Sequence, residues 1–316
     1  MTVGEWRRPP RSGDLVVGRI TEIGVHDHAE NRNGRRMRLH GGDLVVGALG
    51  NRYATDFYEG YVLDSPHAHL LTAGGLIGSV VTSHDVHGQP TGLEIIGGLV
   101  GAGGEPLSTE DFARPAPAMP MRRPPTIAVV GSGMNAGKTT TAAALIRGWV
   151  RAGLRPGAGK VTGSGSGKDR WEYVDAGAVA VADFLDFGMP STFGYPGERL
   201  AATLVAIRDS LAVDGCDVIV LEVADGLLMP ETSRLLRTLQ GEVDGVVLAT
   251  GDALSARSGV EILTELGLPV LALSGLLSRS PLAAREALRA TGLPVRTAGE
   301  LAAGEALDLL PTGATL

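Results

Sequence analysis

Four apolar residues, Ile127-Ala128-Val129-Val130, run without a break into Gly131-Ser132-Gly133-Met134-Asn135-Ala136-Gly137-Lys138-Thr139-Thr140, and an Ala- and Leu-rich stretch follows. A strand that empties through a glycine-rich loop into a helix aims successive backbone N–H groups, and the positive end of the helix dipole, at one point. That arrangement suits a phosphate. In this pattern Lys138 reaches the outer phosphate oxygens and Thr139 offers its hydroxyl to Mg2+, while Gly133, Asn135, Ala136, Gly137 and Thr140 line the phosphates. The first glycine of such loops usually stands where this chain has Ser132, and here it comes one place earlier, at Gly131. A turn that binds nothing would leave Lys138 and Thr139 with no packing use at the first helical turn.

The surroundings read the same way. Apolar strands are expected over 127–130, 157–162, 218–222, 245–249 and 269–273, with helices between them. Continuous apolar strands that alternate with helices form a parallel sheet covered on both faces, with ligands at the strands' carboxyl ends. Five prolines between Ala113 and Thr126 fix φ, remove N–H donors and mark an extended linker. The organisation is therefore an all-β domain over 1–112, a linker over 113–125 and a parallel-sheet α/β domain of the P-loop NTPase class over 126–316. The first part has short alternating runs between Gly, Asn and Asp, and the hexapeptide GDLVVG occurs at 13–18 and 42–47. Two equivalent strands of a small barrel or sandwich would give such a repeat, as would chance recurrence of Val-rich strands.

The ends of the later strands supply the remaining polar candidates. Of the 28 basic residues only three are lysines, Lys138, Lys160 and Lys168. Lys160 closes the second strand, so its compact ammonium can neutralise charge that develops during phosphoryl transfer. Ser164 follows it. Glu222 closes the third strand and is the first choice for the acid beside the metal, with Asp225 second. Asp175 stands before a small-residue stretch expected to be helical, either turned toward the metal or capping that helix. A second glycine–lysine run, 163–169, has the wrong spacing and ends in Asp169 where Ser or Thr is needed, so it does not make a second nucleotide loop.

A net charge of −7 argues against a broad nucleic-acid face. The lone Cys216 suits a reducing compartment, and no apolar run follows the N-terminal arginines as it would in a signal peptide. A cytoplasmic protein with no membrane partner is expected. All seven histidines fall before the linker. The pairs His26/His28 and His67/His69 could share a strand face as metal ligands do, or be loop residues. Asn51, Arg52, Tyr53, Asp56 and Tyr58 form a polar-aromatic cluster that fits either a small polar ligand or an edge turn.

Over roughly 126–239 the chain resembles dethiobiotin synthetase and its relatives among ATP-dependent amide-forming and carboxylating enzymes. The likeness rests on the early Gly131 and the loop through Thr139, on Lys160 with Ser164, and on Asp175 and Glu222. It implies ATP as the nucleotide, Mg2+ held with the help of Asp175 and Glu222, and a substrate loop at Lys160 and Ser164. It also implies a homodimer. The spacing of Asp175 and Asp183-Phe184 is similar to that in a group linked to D-glutamate metabolism. Together these readings give ATP- and Mg2+-dependent phosphoryl transfer to a small molecule, by a ligase acting through an acyl or carbamoyl phosphate, or by a kinase. Lys168, Asn51, Arg52 and Tyr53 are candidates for the substrate side. The alternative is a metal-delivery or regulatory GTPase, for which no Asn-Lys-x-Asp guanine motif is present. A partitioning or transport ATPase would carry a further lysine early in the loop.

Overall fold

The computed structural model describes residues 2–4 and 8–311. It divides into two compact units, Met1–Pro115 with Gly163–Lys168 and Phe184–Gly194, and Ala116–Thr162 with Asp169–Asp183 and Tyr195–Leu316. Residues 113–125 carry neither helix nor strand.

Among its described residues the first unit holds ten strands: β1 Thr2–Gly4, β2 Leu15–Glu22, β3 His28–Glu30, β4 Arg36–Arg38, β5 Leu44–Leu49, β6 Arg52–Tyr53, β7 Tyr58–Tyr61, β8 His67–Leu70, β9 Leu76–Ser83 and β10 Thr91–Val100. Pairings run β10 to β2, β2 to β5, β5 to β9, β9 to β8 and β8 back to β10, so five strands close a barrel. Closure removes free edges, and alternate residues point inward. The inward set includes Val16, Ile20, Leu49, Leu70, Ile77 and Leu93. The two GDLVVG copies are antiparallel neighbours, Val17 opposite Val46, but they are not equivalent in burial. Val16 and Val17 are buried, whereas Leu44 and Val46 are 63% and 62% exposed.

Two stretches that the sequence assigns to the later domain pack with this barrel. The Gly163–Lys168 segment is tied down at every second residue. Gly163 N donates to Thr192 Oγ1 (2.9 Å), Gly165 N to Pro190 O (2.9 Å) and Gly167 N to Glu30 Oε2 (2.7 Å), while Thr72 Oγ1 donates to Gly165 O (2.8 Å). Within the Phe184–Gly194 segment Phe184, Phe187, Met189, Ser191 and Thr192 are buried.

The second unit is built on six parallel strands in the order β13-β12-β14-β11-β15-β16: β11 Thr126–Gly131, β12 Pro156–Lys160, β13 Ala180–Asp183, β14 Val218–Glu222, β15 Gly245–Ala249 and β16 Val270–Ser274. Every residue of β11, β14 and β15 is buried, as expected of strands covered on both faces. The helices are α1 Lys138–Arg151, α2 Lys168–Ala176, α3 Gly197–Val213, α4 Pro230–Leu239, α5 Ala253–Glu265, α6 Pro281–Thr291 and α7 Ala298–Ala303. Ile127, Val129, Leu145, Ile146, Trp149, Val220 and Val247 meet in one core, where Trp149 Nε1 donates to Ala306 O at 3.0 Å.

The stretch after Asp175, expected to be helical, is instead the edge strand β13. Gly177, at φ +104°, ends α2, and the Val/Ala alternation that follows pairs with β12. Alanine favours a helix locally, and pairing with β12 overrides that preference. Among the described residues no helix is long and apolar enough to cross a membrane.

Candidate functional site

The loop between β11 and α1 takes its shape from a few backbone positions. Asn135 and Gly137 both adopt positive φ, +57° and +100°, which turns successive N–H groups inward. The early glycine has a steric reason: a Cβ on Gly131 would lie 2.8 Å from Lys138 Cδ. A side chain there would block the lysine from folding back over the loop, where its Nζ donates to Gly133 O at 2.8 Å. Two neighbouring loops brace the structure. Leu227 N donates to Gly131 O (3.1 Å) from the turn after β14, and Leu276 N donates to Ala136 O (3.0 Å) from the turn after β16. In the first turn Asp225 sits at φ +63°, a left-handed conformation costly for a residue with a Cβ and often found beside functional sites.

Strand register then gathers the charged residues. Lys160 pairs with Asp183 on one side and Glu222 on the other, so three adjacent strands end in an acid, a base and an acid. Glu222 is 2% exposed and both its oxygens are engaged. Thr139 Oγ1 donates to Oε1 at 3.2 Å, and the Tyr173 hydroxyl donates to Oε2. Burial first, and then the charge of Glu222, push the Tyr173 phenol well above its ordinary range, so it stays protonated and remains a donor. Lys160 pairs with Asp169 in the first turn of α2.

This is a P-loop NTPase fold. The strand–loop–helix with Lys138 over the loop, the hydroxyl of Thr139 on a strand-end carboxylate, and the parallel sheet around them are its features. No family model matches the sequence, and no curated protein matches it. Solved structures similar to the chain include the signal recognition particle receptor FtsY of Elizabethkingia anophelis, 18% identical over 63% of this chain and 68% of that one, with a TM-score of 0.38. The cell division protein FtsY of Thermotoga maritima is 18% identical over 63% of this chain and 74% of that one, TM-score 0.41. The signal recognition particle 54 kDa protein of Aeropyrum pernix K1, in complex with GDP, is 19% identical over 60% of this chain and 49% of that one, TM-score 0.42. The comparisons do not support the narrower likeness to dethiobiotin synthetase.

The donor set of this P-loop NTPase fits Mg2+. A threonine hydroxyl and a buried carboxylate are hard oxygen ligands, and Mg2+ is commonly held by one or two carboxylates together with nucleotide phosphates. Thr139 and Glu222 would hold it, and bound there it would neutralise charge on the phosphates.

Not every sequence candidate joins them. Asp175 is exposed in the last turn of α2, two residues from the buried Tyr173, and so on the opposite side of the helix from the residue that reaches Glu222. Ser164 and Lys168 lie in the first unit, Ser164 bridged to Ser191 and Lys168 exposed. Asn51, Arg52 and Tyr53 are committed to packing in that unit. Asn51 Oδ1 accepts from Val62 N (2.9 Å), Tyr53 packs on Phe193 (5.1 Å between rings), and Arg52 donates to Leu71 O and lies 4.8 Å over the Phe57 ring. His26 stacks on Phe57 at 5.1 Å, and His69 accepts from Val80 N at 3.1 Å. Among the described residues no group of three or more His, Cys, Asp or Glu is placed to hold a metal.

Asp169 and Tyr173 had no motif to announce them. Their one signal in the sequence is the four-residue spacing, which puts both on one face of any helix.

Proposed function

We propose that the chain is an enzyme that binds MgATP at the loop over 131–140 and passes the γ-phosphoryl group to a small-molecule acceptor. The contact that carries this reading is Thr139 Oγ1 to Glu222 Oε1, 3.2 Å, one residue from Lys138. It sets a hydroxyl and a carboxylate where a phosphate-bound Mg2+ would need them. Lys160, in register with Glu222, supplies the further positive charge that transfer of a phosphoryl group calls for. Catalysis of this kind is mostly positioning and charge neutralisation, so the same groups serve a carboxylate or carbamate acceptor in a ligase and a hydroxyl acceptor in a kinase.

ATP is favoured over GTP by the absence of an Asn-Lys-x-Asp guanine motif. With the charged strand ends on the β12 and β14 side of the loop, the nucleoside is left the side of β15 and β16. The one acidic residue in 250–256 and 274–280 is Asp252, whose carboxylate caps α5 by accepting from Ser255 N at 2.8 Å.

A second reading, a regulatory GTPase that hydrolyses nucleotide without an acceptor, is favoured by the pairing of Lys160 with Asp169, which already neutralises the acceptor-side cation. The test is 31P NMR of ATP and GTP turnover against amino acids, carboxylates and nucleosides. A new phosphoester resonance identifies a kinase. ADP and free phosphate formed only with two co-substrates identify a ligase. Slow acceptor-independent turnover of GTP alone overturns the ATP reading in favour of the GTPase.

A further inference from the structure

The helix α2 touches the site twice, and the two contacts match in spacing. Asp169 and Tyr173 are one turn apart on the same face. Their partners, Lys160 and Glu222, are register neighbours at the ends of β12 and β14. A helical turn rises about 5.4 Å, and adjacent strands stand about 4.8 Å apart. One helix face can therefore address two neighbouring strand ends at once. Asp169 and Lys160 are only 19% and 13% exposed, so neither charge is freely solvated. Tyr173 is wholly buried.

We propose that α2 is the positioning element of this site, with Asp169 aiming the Lys160 ammonium and Tyr173 fixing which oxygen of Glu222 faces Thr139. The proposal rests on the reading that the loop takes a magnesium nucleoside triphosphate. Glu222 has two oxygens and two hydroxyl donors. Thr139 belongs to the phosphate loop and Tyr173 to α2, so the phenol anchors the far oxygen and leaves the near one presented toward the loop. Without the phenol the carboxylate is free to turn and one oxygen is buried unpaired. Asp169 acts on the cation in the same way. It holds the flexible lysine chain along the strand ends, and its negative charge competes with a γ-phosphate for the ammonium. Neither residue touches the loop itself, so neither is expected to alter how backbone N–H groups bind phosphate.

The test is calorimetric titration of the full-length chain with non-hydrolysable ATP and GTP analogues and with the diphosphates, over a range of Mg2+ concentrations. In the Tyr173→Phe variant the Mg2+ concentration for half-maximal tightening is expected to rise about tenfold, the usual consequence of losing a partner behind a metal ligand. Affinity for the metal-free analogue stays at the parent value, which a merely structural defect would not spare. In Asp169→Asn, a change at a partly exposed position that keeps an acceptor for the ammonium, preference for triphosphate over diphosphate is expected to rise several-fold. This second variant carries the test if the first does not fold. Parental Mg2+ dependence in Tyr173→Phe, or parental discrimination in Asp169→Asn, overturns the proposal while leaving the nucleotide reading intact. A parent chain that binds neither analogue, with or without Mg2+, overturns both.

Discussion

The parallel sheet and the barrel use polar residues in opposite ways. In β11, β14 and β15 the strand interiors are apolar and wholly buried, so the one carboxylate, Glu222, stands at a strand end. In the first unit, polar residues such as Arg19 and Glu94 stand within strands, and those that look most like a binding cluster make packing contacts inside the unit. Arg52 bonds Leu71 O and covers Phe57, and Asn51 ties Val62. On the function proposed above, an isolated polar residue in an apolar background marks chemistry better than a dense polar cluster does.

Four experiments sharpen or break that contrast. The largest effect is expected from Lys138→Ala, which should weaken triphosphate binding by about 100-fold or more by titration calorimetry, since it removes a charged donor aimed at the phosphates. Unchanged binding would mean that the isolated lysine is not a marker of function. Next comes Gly275→Ala. Gly275 has φ +87° and ψ −153°, a region essentially closed to other residues, and it lies against the phosphate loop. The substitution should cost about 1–3 kcal/mol in chemical denaturation and weaken nucleotide binding as well. Arg52→Ala should cost about 1–2 kcal/mol, as loss of a partly buried hydrogen-bonding group does, with nucleotide affinity at the parent value. A loss of affinity there would break the contrast by giving the barrel cluster a role in binding.

The smallest effect concerns His26. Burial, and then the charge of Arg52, hold its imidazole down at about 4 against an ordinary 6.5. The folded chain keeps this ring neutral while the unfolded chain takes up a proton below about pH 6.5. Stability from this group is therefore full above that pH and is lost progressively as pH falls toward 4. Near pH 5.5 the loss is about 1 kcal/mol, and a His26→Gln variant followed by denaturant melts should lack it.

The same contrast explains what could be read from the chain beforehand. The loop from Gly131 to Thr140 was legible because each residue there meets a local demand. Four strands of the sheet were legible because their apolar runs are continuous, and Pro156–Lys160 was legible from its place between helices. The sixth, Ala180–Asp183, was not, because the short run Ala-Val-Ala-Asp carries too little pattern to outweigh alanine's helical preference. Glu222 was legible as the polar end of an apolar run. Tyr173 was not, since its importance comes from a hydrogen bond to a residue 49 positions away. Asp175 drew attention as an acid close to the right place, but helical geometry gives it the opposite face from Tyr173.

The capture of Gly163–Lys168 and Phe184–Gly194 by the barrel has a consequence for the order of events at the ribosome. The chain changes unit after Pro115, Thr162, Lys168, Asp183 and Gly194. Domains of a growing chain generally fold in order of synthesis. Here the strands of the barrel emerge first, yet its full complement of packing partners does not exist until Gly194 has been made. By then β11, α1, β12 and β13 have been made too. Until then the N-terminal unit lacks two of its packing segments, and a nascent chain paused before Gly194 is expected to display to chaperones and proteases the barrel surface that those segments cover.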